Sequence, residues 1–512
     1  MPYMTSGKRY LQDLRRARGQ IWNLAELLRH FPVGGADAPW RNDPASSDAW
    51  IDRLVYEGYV HHGEAFVNAI KGRFAVVYYD ESLERLFIAR DWIGELPLHL
   101  LATDTCVYVS NTIDAIHAAA GKSYTYAYVR AFPHAHAQLI DLSEIDPANL
   151  GLTMRPLEPV LFTDFAALVR NATFEFGYDL DRAFANYVRG LLTSSIARRA
   201  REQHGPHAVL LSGGLDSFSV ALTLKTLDIP FDAYTLTVEG GGDDVALAAE
   251  FAKCLGVNHH LIRVSPEDVI QVYEQAVRAS EAYAVYNVYC AVGMVLVADH
   301  LSRLGVTSAF CGEAVNEALG DYTSWQVADR TSGELVTLQN INSARLQRTD
   351  ARQLLVWGPP RDRGRYNRQL GAGLAKHAGS RMIKPFLSRG LTLECPYYDA
   401  QLLAHLVAIQ PDALADVGGK PGLVALLFDE DLRRYSIERS LIESCKKVRL
   451  QDASDNGRGG ITSVLLSAGF NQRRTVELFN AVFGAALNPD VEASRLAAAV
   501  ATIPSRDANA TE

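Results

Sequence analysis

Val209-Leu210-Leu211-Ser212-Gly213-Gly214-Leu215-Asp216-Ser217 decides the reading of the larger part of this chain. An apolar run that reads as a buried strand stops abruptly at Ser-Gly-Gly-x-Asp-Ser, and a helix-like segment, Phe218 to Lys225, follows at once. A strand, a glycine turn and a helix start together present several backbone N–H groups and a positive helix terminus to an anion, above all to a phosphate chain. Gly213 and Gly214 let the main chain come close, and Ser212 and Ser217 add hydroxyl donors. A carboxylate at Asp216 repels phosphate unless a divalent cation lies between them, so the loop predicts Mg²⁺. The Gly-Lys-Ser/Thr ending of a Walker loop is missing. The plain alternative is a tight turn in an α/β sheet.

Outward from that loop the chain keeps alternating. Tyr234–Val238 predicts a second strand, followed by Gly240-Gly241-Gly242 and a helix over Asp243–Leu255, and His260–Val264 predicts a third strand. Leu180, Phe184, Tyr187, Val188, Leu191, Leu192 and Ile196 keep helical spacing, so a helix leads into the loop's strand. Strand–helix alternation after about residue 200 predicts an α/β fold with a doubly wound parallel sheet, its ligand at the carboxyl ends of the strands. The first ~165 residues read as β-rich. Phe74–Asp80 and Leu86–Asp91 predict consecutive strands joined by a polar turn, and Leu98–Leu101 and Cys106–Ser110 continue the pattern. Residues 322–380 are less regular and polar, which suits either a mobile cover or a peripheral helical insert.

Bulk properties narrow the function classes. A length of 512 residues predicts two or three domains with ample core. The net charge of −9 argues against general nucleic-acid or membrane-surface binding. No apolar run approaches the ~20 residues of a membrane span, and the first residues lack a secretory h-region. The six cysteines lack CxxC spacing, so neither a zinc site nor a disulfide framework is expected, and a reducing, cytoplasmic setting fits. Pro504–Glu512 is expected to fray.

Four motifs in order carry a resemblance to a known family. Lys71-Gly72-Arg73-Phe74-Ala75 with Ala89-Arg90-Asp91-x-x-Gly94-x-x-Pro97-Leu98 resembles the glutaminase-type half of asparagine synthetase B. LSGGLDS (211–217), the strand at 234–238 and the stretch Cys311 to Gly320 resemble its synthetase half, where the loop belongs to enzymes that cleave ATP between the α and β phosphates. Cys445-Lys446-Lys447-Val448-Arg449-Leu450-Gln451-Asp452 resembles the catalytic lysine region, and its continuation to Leu466 is most similar to β-lactam and carbapenam synthetases. The resemblance implies two domains. Residues 1–170 would be an inactive α+β sandwich of the N-terminal-nucleophile-hydrolase type, and residues 171–512 a sheet of the adenine-nucleotide α-hydrolase type. It implies ATP and Mg²⁺ as cofactors, with Leu211, Ser212, Gly213, Gly214, Leu215, Asp216, Ser217, Leu236 and Gly312 on the nucleotide and Asp216 and Asn316 on the metal. Lys447 and Glu313 take the catalytic roles, with Lys446 as the fallback for the lysine.

The departures from the family set the expected reaction. Glutamine-hydrolysing members carry a cysteine after the initiator methionine, whose thiol and free amine act as nucleophile and base. Pro2 stands there in this chain and the first cysteine is Cys106, so no glutaminase activity is expected. The family's Ser-Gly-Glu-Gly-Ala/Ser-Asp-Glu loop keeps its glutamate as Glu313 but has Asn316 for the metal-binding aspartate; Glu317 is an alternative source of charge. In β-lactam synthetases a tyrosine replaces that glutamate. The expected reaction is adenylation of a carboxylate followed by amine attack, closing a lactam within one small amino acid. A ligase joining two substrates, an enzyme using free ammonia and a lasso-peptide cyclase are the alternatives. A nucleobase-adenylating tRNA enzyme would need a basic surface, which −9 opposes, and an idle nucleotide-binding regulator would not keep Asp216 and Lys447. Partners are expected to be a small-molecule substrate and a second copy in a homodimer, with no nucleic acid and no membrane. The Ala282–Met294 stretch is expected to face the acid, Tyr397 and Tyr398 to pack in the core, and Asp243 and Asp244 to cap a helix or touch ligand. His259-His260 is expected to open a strand without binding metal.

Overall fold

The structure is a computed structural model. It describes residues 10–13, 19–35, 38–42, 47–103, 106–121, 128–144, 160–161, 165–176, 180–201, 206–239, 243–319, 324–328, 335–339, 374–409, 411–445 and 460–494. They divide into two compact units. The first is Met1–Asp164 with the short pieces Ala375–Gly379 and Phe479–Leu487, and the second is Phe165–Leu374, Ser380–Leu478 and Asn488–Glu512.

The first unit contains strands β1 (Tyr10–Asp13), β2 (Gly19–Ile21), β3 (Gly72–Asp80), β4 (Arg85–Arg90), β5 (His99–Ala102), β6 (Val107–Ser110), β7 (Arg130–Ala131), β8 (His136–Asp141) and β9 (Val160–Leu161). They form two sheets, in the orders β2-β3-β4-β8-β9 and β1-β6-β5-β7. The strands expected to continue one pattern therefore separate: β3 and β4 pair with each other, and β5 and β6 belong to the other sheet. Helices Leu24–His30, Ser47–His62, Glu64–Ala69 and Ile113–Ala120 qualify the β-rich reading. Trp50, Ile51, Leu54 and Val55 of Ser47–His62 recur at helical spacing and pack in one core with Phe66, Phe74, Val76 and Phe87.

The Arg90-Asp91-x-x-Gly94 motif holds a turn. Arg90 donates from Nε to Leu96 O at 2.7 Å, from Nη1 to Phe132 O and from Nη2 to Gly94 O, both at 2.8 Å. Asp91 Oδ1 accepts the N–H groups of Ile93, Gly94 and Glu95 at 3.1, 2.6 and 3.0 Å. Gly94 has φ +69°, and its small size admits the Arg90 guanidinium. Both charges are buried, and backbone partners offset the cost of removing them from water. Beside this turn, burial pushes the His134 ring down to about 4, with Nδ1 2.9 Å from Trp92 O. An unfolded histidine titrates near 6.5, so as pH falls from about 6.5 to 4 the unfolded chain takes a proton that the folded ring refuses. Stability is expected to fall across that window. Thermal melts of the wild type and His134→Gln over pH 4–7 check it: the variant should lose less of its Tm on acidification.

In the second unit, helix Arg182–Arg201 leads into β10 (His207–Leu210), followed by helix Leu215–Thr226, β11 (Phe231–Val238), helix Asp243–Leu255 and β12 (His259–Val264). Helix Val285–Arg303 precedes β13 (Ser308–Phe310). Strands β14 (Ser324–Ala328) and β15 (Leu335–Gln339) pair antiparallel, so part of the stretch read as a cover or helical insert is a β-hairpin. Strand β16 (Thr392–Glu394) completes a five-stranded sheet of order β12-β11-β10-β13-β16, parallel at each pairing. The doubly wound parallel reading holds for this unit. Short, continuously apolar strands such as Ala208-Val209 fit a sheet covered on both faces. Helix Leu215–Thr226 is buried nearly all round, its Phe218 stacked on Phe251 with ring centroids 4.1 Å apart. Helix Val285–Arg303 is long and apolar enough to cross a membrane by composition alone, but 67% of that stretch is buried, as in a core helix. Tyr397 and Tyr398 are buried, in line with core packing.

Candidate active site

The chain enters the sheet at its middle. From β10 it winds through β11 to β12 on one side, then returns through β13 to β16 on the other. Strand order therefore reverses between β10 and β13, and a crevice opens at their carboxyl ends, where open α/β sheets bind ligands. The segments leaving those two strands are 211–217 and 311–316, the two that sequence had singled out.

The first segment is tied down by hydrogen bonds. Leu211 is buried, donates its N–H to Tyr234 O at 2.9 Å and accepts Thr235 Oγ1 at 2.5 Å. Gly213 has φ +75°, and Gly214 in extended conformation begins the helix, accepting Phe218 N–H at 3.1 Å. Ser217 Oγ donates to Gly214 O at 3.0 Å and accepts Ser212 N–H at 3.2 Å, so the hydroxyl staples the turn. Ser212 Oγ lies 3.1 Å from Ser217 Oγ. Leu215 is buried and Leu236, on β11, is half-buried. This cradle fits a phosphate chain: glycine backbone, two hydroxyls and a twelve-residue helix starting at Leu215.

The second segment packs directly against it. A Cβ at Gly312 would lie 2.4 Å from Asp216 C, 2.5 Å from Ser217 N and 2.7 Å from Asp216 Cβ, so only glycine permits this approach. Ala314 adopts φ +93°, a conformation that favours glycine, and it is buried. Such a residue stores of order 1–3 kcal/mol of strain, which surrounding packing must hold. Glu313 Oε1 accepts Arg381 Nη2 at 2.6 Å in an ion pair whose side chains are 13% and 20% exposed. That bond commits Oε1 to the guanidinium, which suits an orienting acceptor more than a base.

Asp216 and Asn316 do come together, and a lysine joins them. Lys420 Nζ lies 3.0 and 3.1 Å from the Asp216 carboxylate oxygens and 2.7 Å from Asn316 Oδ1. Lys420 is the second residue of helix Gly419–Leu427, directly after Gly418 and Gly419, both with positive φ. Burial pushes the nearby Cys445 thiol up to about 11 against the pull of the Lys420 charge, so it stays protonated. Burial, then the charge of Asp216, pushes the Tyr397 hydroxyl up as well.

Mg²⁺ takes one or two carboxylates together with phosphate oxygens and water. Among the described residues no group of three or more His, Cys, Asp or Glu could hold a metal. Asp216 and the amide oxygen of Asn316 fit an ion carried on phosphates, with the Lys420 ammonium as its competitor for the same oxygens. Lys446 and Lys447 lie outside the described residues, as does the side chain of Glu317. Helix Asp243–Leu255 starts at Asp243, and the side chains of Asp243 and Asp244 lie outside the description. His259 meets Thr235 Oγ1 at 2.8 Å and His260 stacks on Tyr234, a strand-opening role for both. Sequence reasoning missed Lys420 and Arg381. A lysine directly after two glycines was the available signal for Lys420.

Residues 187–411 match the family described as asparagine synthase, and residues 16–118 match a glutamine amidotransferase domain. Among similar proteins, asparagine synthetase (glutamine-hydrolyzing) of Sandersonia aurantiaca is 26% identical over 59% of this chain and 53% of its own length. The Gallus gallus protein of that name is 26% identical over 51% of this chain and 47% of its own. Asparagine synthetase (glutamine-hydrolyzing) 3 of Arabidopsis thaliana is 28% identical over 54% and 44%. The chain thus spans about half the length of the curated relatives it matches. With a glutamine amidotransferase match ahead of an asparagine synthase match and both site loops at one sheet edge, the chain is similar to the asparagine synthetase family.

Proposed function

We propose that this chain is an ATP-dependent carbon–nitrogen ligase that forms AMP and pyrophosphate. It adenylates a carboxylate and joins it to an amine of the same small amino acid, closing a lactam in natural-product biosynthesis. The observation that carries the reading is the meeting of the 211–217 and 311–316 segments at the sheet's reversal point, with Lys420 between Asp216 and Asn316.

A carboxylate and an amine form a salt at neutral pH, so the acid needs a leaving group. Backbone N–H groups at the start of helix Leu215–Thr226, with Ser212 and Ser217, hold the phosphates while a carboxylate oxygen attacks the α phosphorus. Mg²⁺, held at Asp216 and Asn316, would offset phosphate charge. Lys420 keeps a positive charge beside the phosphates. Glu313, held by Arg381, accepts an N–H of the incoming amine and orients it, and Lys447 is assigned to the charge that develops as AMP leaves. The reading includes an N-terminal-nucleophile-hydrolase-like first domain and an adenine-nucleotide α-hydrolase-like second, acting in the cytoplasm.

The first domain is proposed to lack glutaminase activity. Cys106 is the one cysteine within residues 1–164, its thiol donates to Val107 O, and burial pushes its pKa up. A protonated thiol is a poor nucleophile. The amine then comes from the substrate, and a tethered amine reaches effective molarities of ~10⁵ M or more. Glu313, in place of the tyrosine of β-lactam synthetases, favours a second reading, a ligase that joins two substrates. Incubation with ATP, Mg²⁺ and β-amino and dicarboxylic amino acids separates them by mass spectrometry. Loss of one water from a single acid, with AMP formed in step, is expected; product only with an added amine sinks the cyclisation. Asn316→Asp adds a second carboxylate for the ion, so half-saturating Mg²⁺ for pyrophosphate release should fall roughly three- to tenfold. An unchanged Mg²⁺ dependence would remove Asn316 from the metal.

A further inference from the structure

Cys311 and Cys395 lie side by side beneath the site. Cys311 directly follows β13 and Cys395 directly follows β16, two neighbouring parallel strands, and Cys311 N–H donates to Glu394 O at 3.0 Å. Their sulfurs are 3.5 Å apart, and both residues are buried. Neighbouring strands hold paired Cα atoms about 4.8 Å apart, inside the roughly 4.4–6.8 Å range that a disulfide spans. We propose that these two thiols form an oxidisable pair that closes to a disulfide with hydrogen peroxide and thereby loosens the phosphate loop.

Cys311, 4% exposed against 0% for Cys395, reacts first. Its sulfur attacks one peroxide oxygen, the O–O bond breaks, and hydroxide leaves as water with the thiol proton. The Cys395 sulfur then attacks the sulfenic sulfur of Cys311, the S–O bond breaks, and a second water carries off the Cys395 proton. Two thiols lose two electrons and two protons, and peroxide is reduced to two waters.

Bond formation draws the sulfurs from 3.5 Å to about 2.05 Å. In-register parallel partners hold their Cβ atoms about 4.8 Å apart too, above the roughly 3.5–4.5 Å of a disulfide, so closure draws the strand ends together, and neither end has slack for it. Cys311 precedes Gly312, whose backbone is so close to Asp216 and Ser217 that a single Cβ would overlap them. Cys395 precedes Pro396, whose carbonyl accepts the buried Ser195 hydroxyl at 2.7 Å. Closure therefore displaces Gly312 against the first turn of helix Leu215–Thr226.

The test treats the full chain with peroxide, blocks remaining thiols, and maps peptides by mass spectrometry, with hydrogen–deuterium exchange on the same sample. A 311–395 cross-link 2 Da lighter than its parts is expected, reversed by dithiothreitol, with amide exchange in 212–217 and 312–316 at least fivefold faster. Cys395→Ala should show neither change, and Cys311→Ala serves equally should the first variant fold poorly. Both thiols unlinked after peroxide, or a cross-link with exchange unchanged, overturns the proposal. No nucleotide enters these readouts, so their outcome is separate from that of the proposed reaction.

Discussion

Lys420→Met is expected to lower pyrophosphate release by roughly 100-fold or more, the loss typical of removing one charge-stabilising donor from an active site. The ammonium bridges Asp216 and Asn316 at 2.7–3.1 Å, with the lysine and aspartate side chains only 12% and 15% exposed. Methionine keeps much of the length and removes the charge. It also takes the ammonium away from a nearly buried carboxylate at Asp216, which should cost about 2–3 kcal/mol of stability, below the 3–5 of a fully buried pair. The double variant Lys420→Met, Asp216→Asn separates the two effects. It should regain most of the lost Tm and none of the activity. Recovery of both would make Lys420 a packing residue.

Gly312→Ala is expected to abolish the cradle by geometry alone. The added methyl meets two backbone atoms and one Cβ at 2.4–2.7 Å, none of them the far end of a flexible side chain. Either β13's end or the start of helix Leu215–Thr226 must move. Overpacking of this kind costs about 1–3 kcal/mol, or several degrees in Tm for a domain of this size. Because the displaced atoms belong to the phosphate loop, ATP affinity should fall by at least an order of magnitude, measurable by calorimetry. An alanine variant with wild-type ATP affinity would show that the two segments can part without loss.

The sequence announced the second unit's sheet because each signal there was local. An apolar tetrad followed by Ser-Gly-Gly has few other conformations, and the helix expected over Asp243–Leu255 forms over that range. Boundaries drifted where propensity is weak: helix Leu215–Thr226 starts three residues earlier than the Phe218 expected, its first turn being the loop itself. The first unit was harder. Nothing local distinguishes β4's partner β8, 46 residues further on when counted from Arg90 to His136, from a strand in another sheet. Helix Ser47–His62 did carry a local signal, Trp50, Ile51, Leu54 and Val55 at helical spacing, which the β-rich reading of this half passed over. In the site, Asp216 and Gly312 were legible as motif residues, each within a short stretch of glycine and carboxylate. Lys420 and Arg381 were not, since each meets its partner only across the fold, 204 residues from Asp216 and 68 from Glu313. The Arg90-Asp91 motif was legible as a family mark, and its side chains prove to hold a turn.

A carboxylate oxygen that attacks the α phosphorus of ATP at this sheet edge leaves on AMP when the amine displaces it. Turnover of an accepted amino acid carrying ¹⁸O in its carboxylate, with mass analysis of the nucleotide product, tests that attack most directly. One ¹⁸O in AMP is expected for each amide formed. Label in inorganic phosphate with ADP as product, or AMP without label, would contradict it.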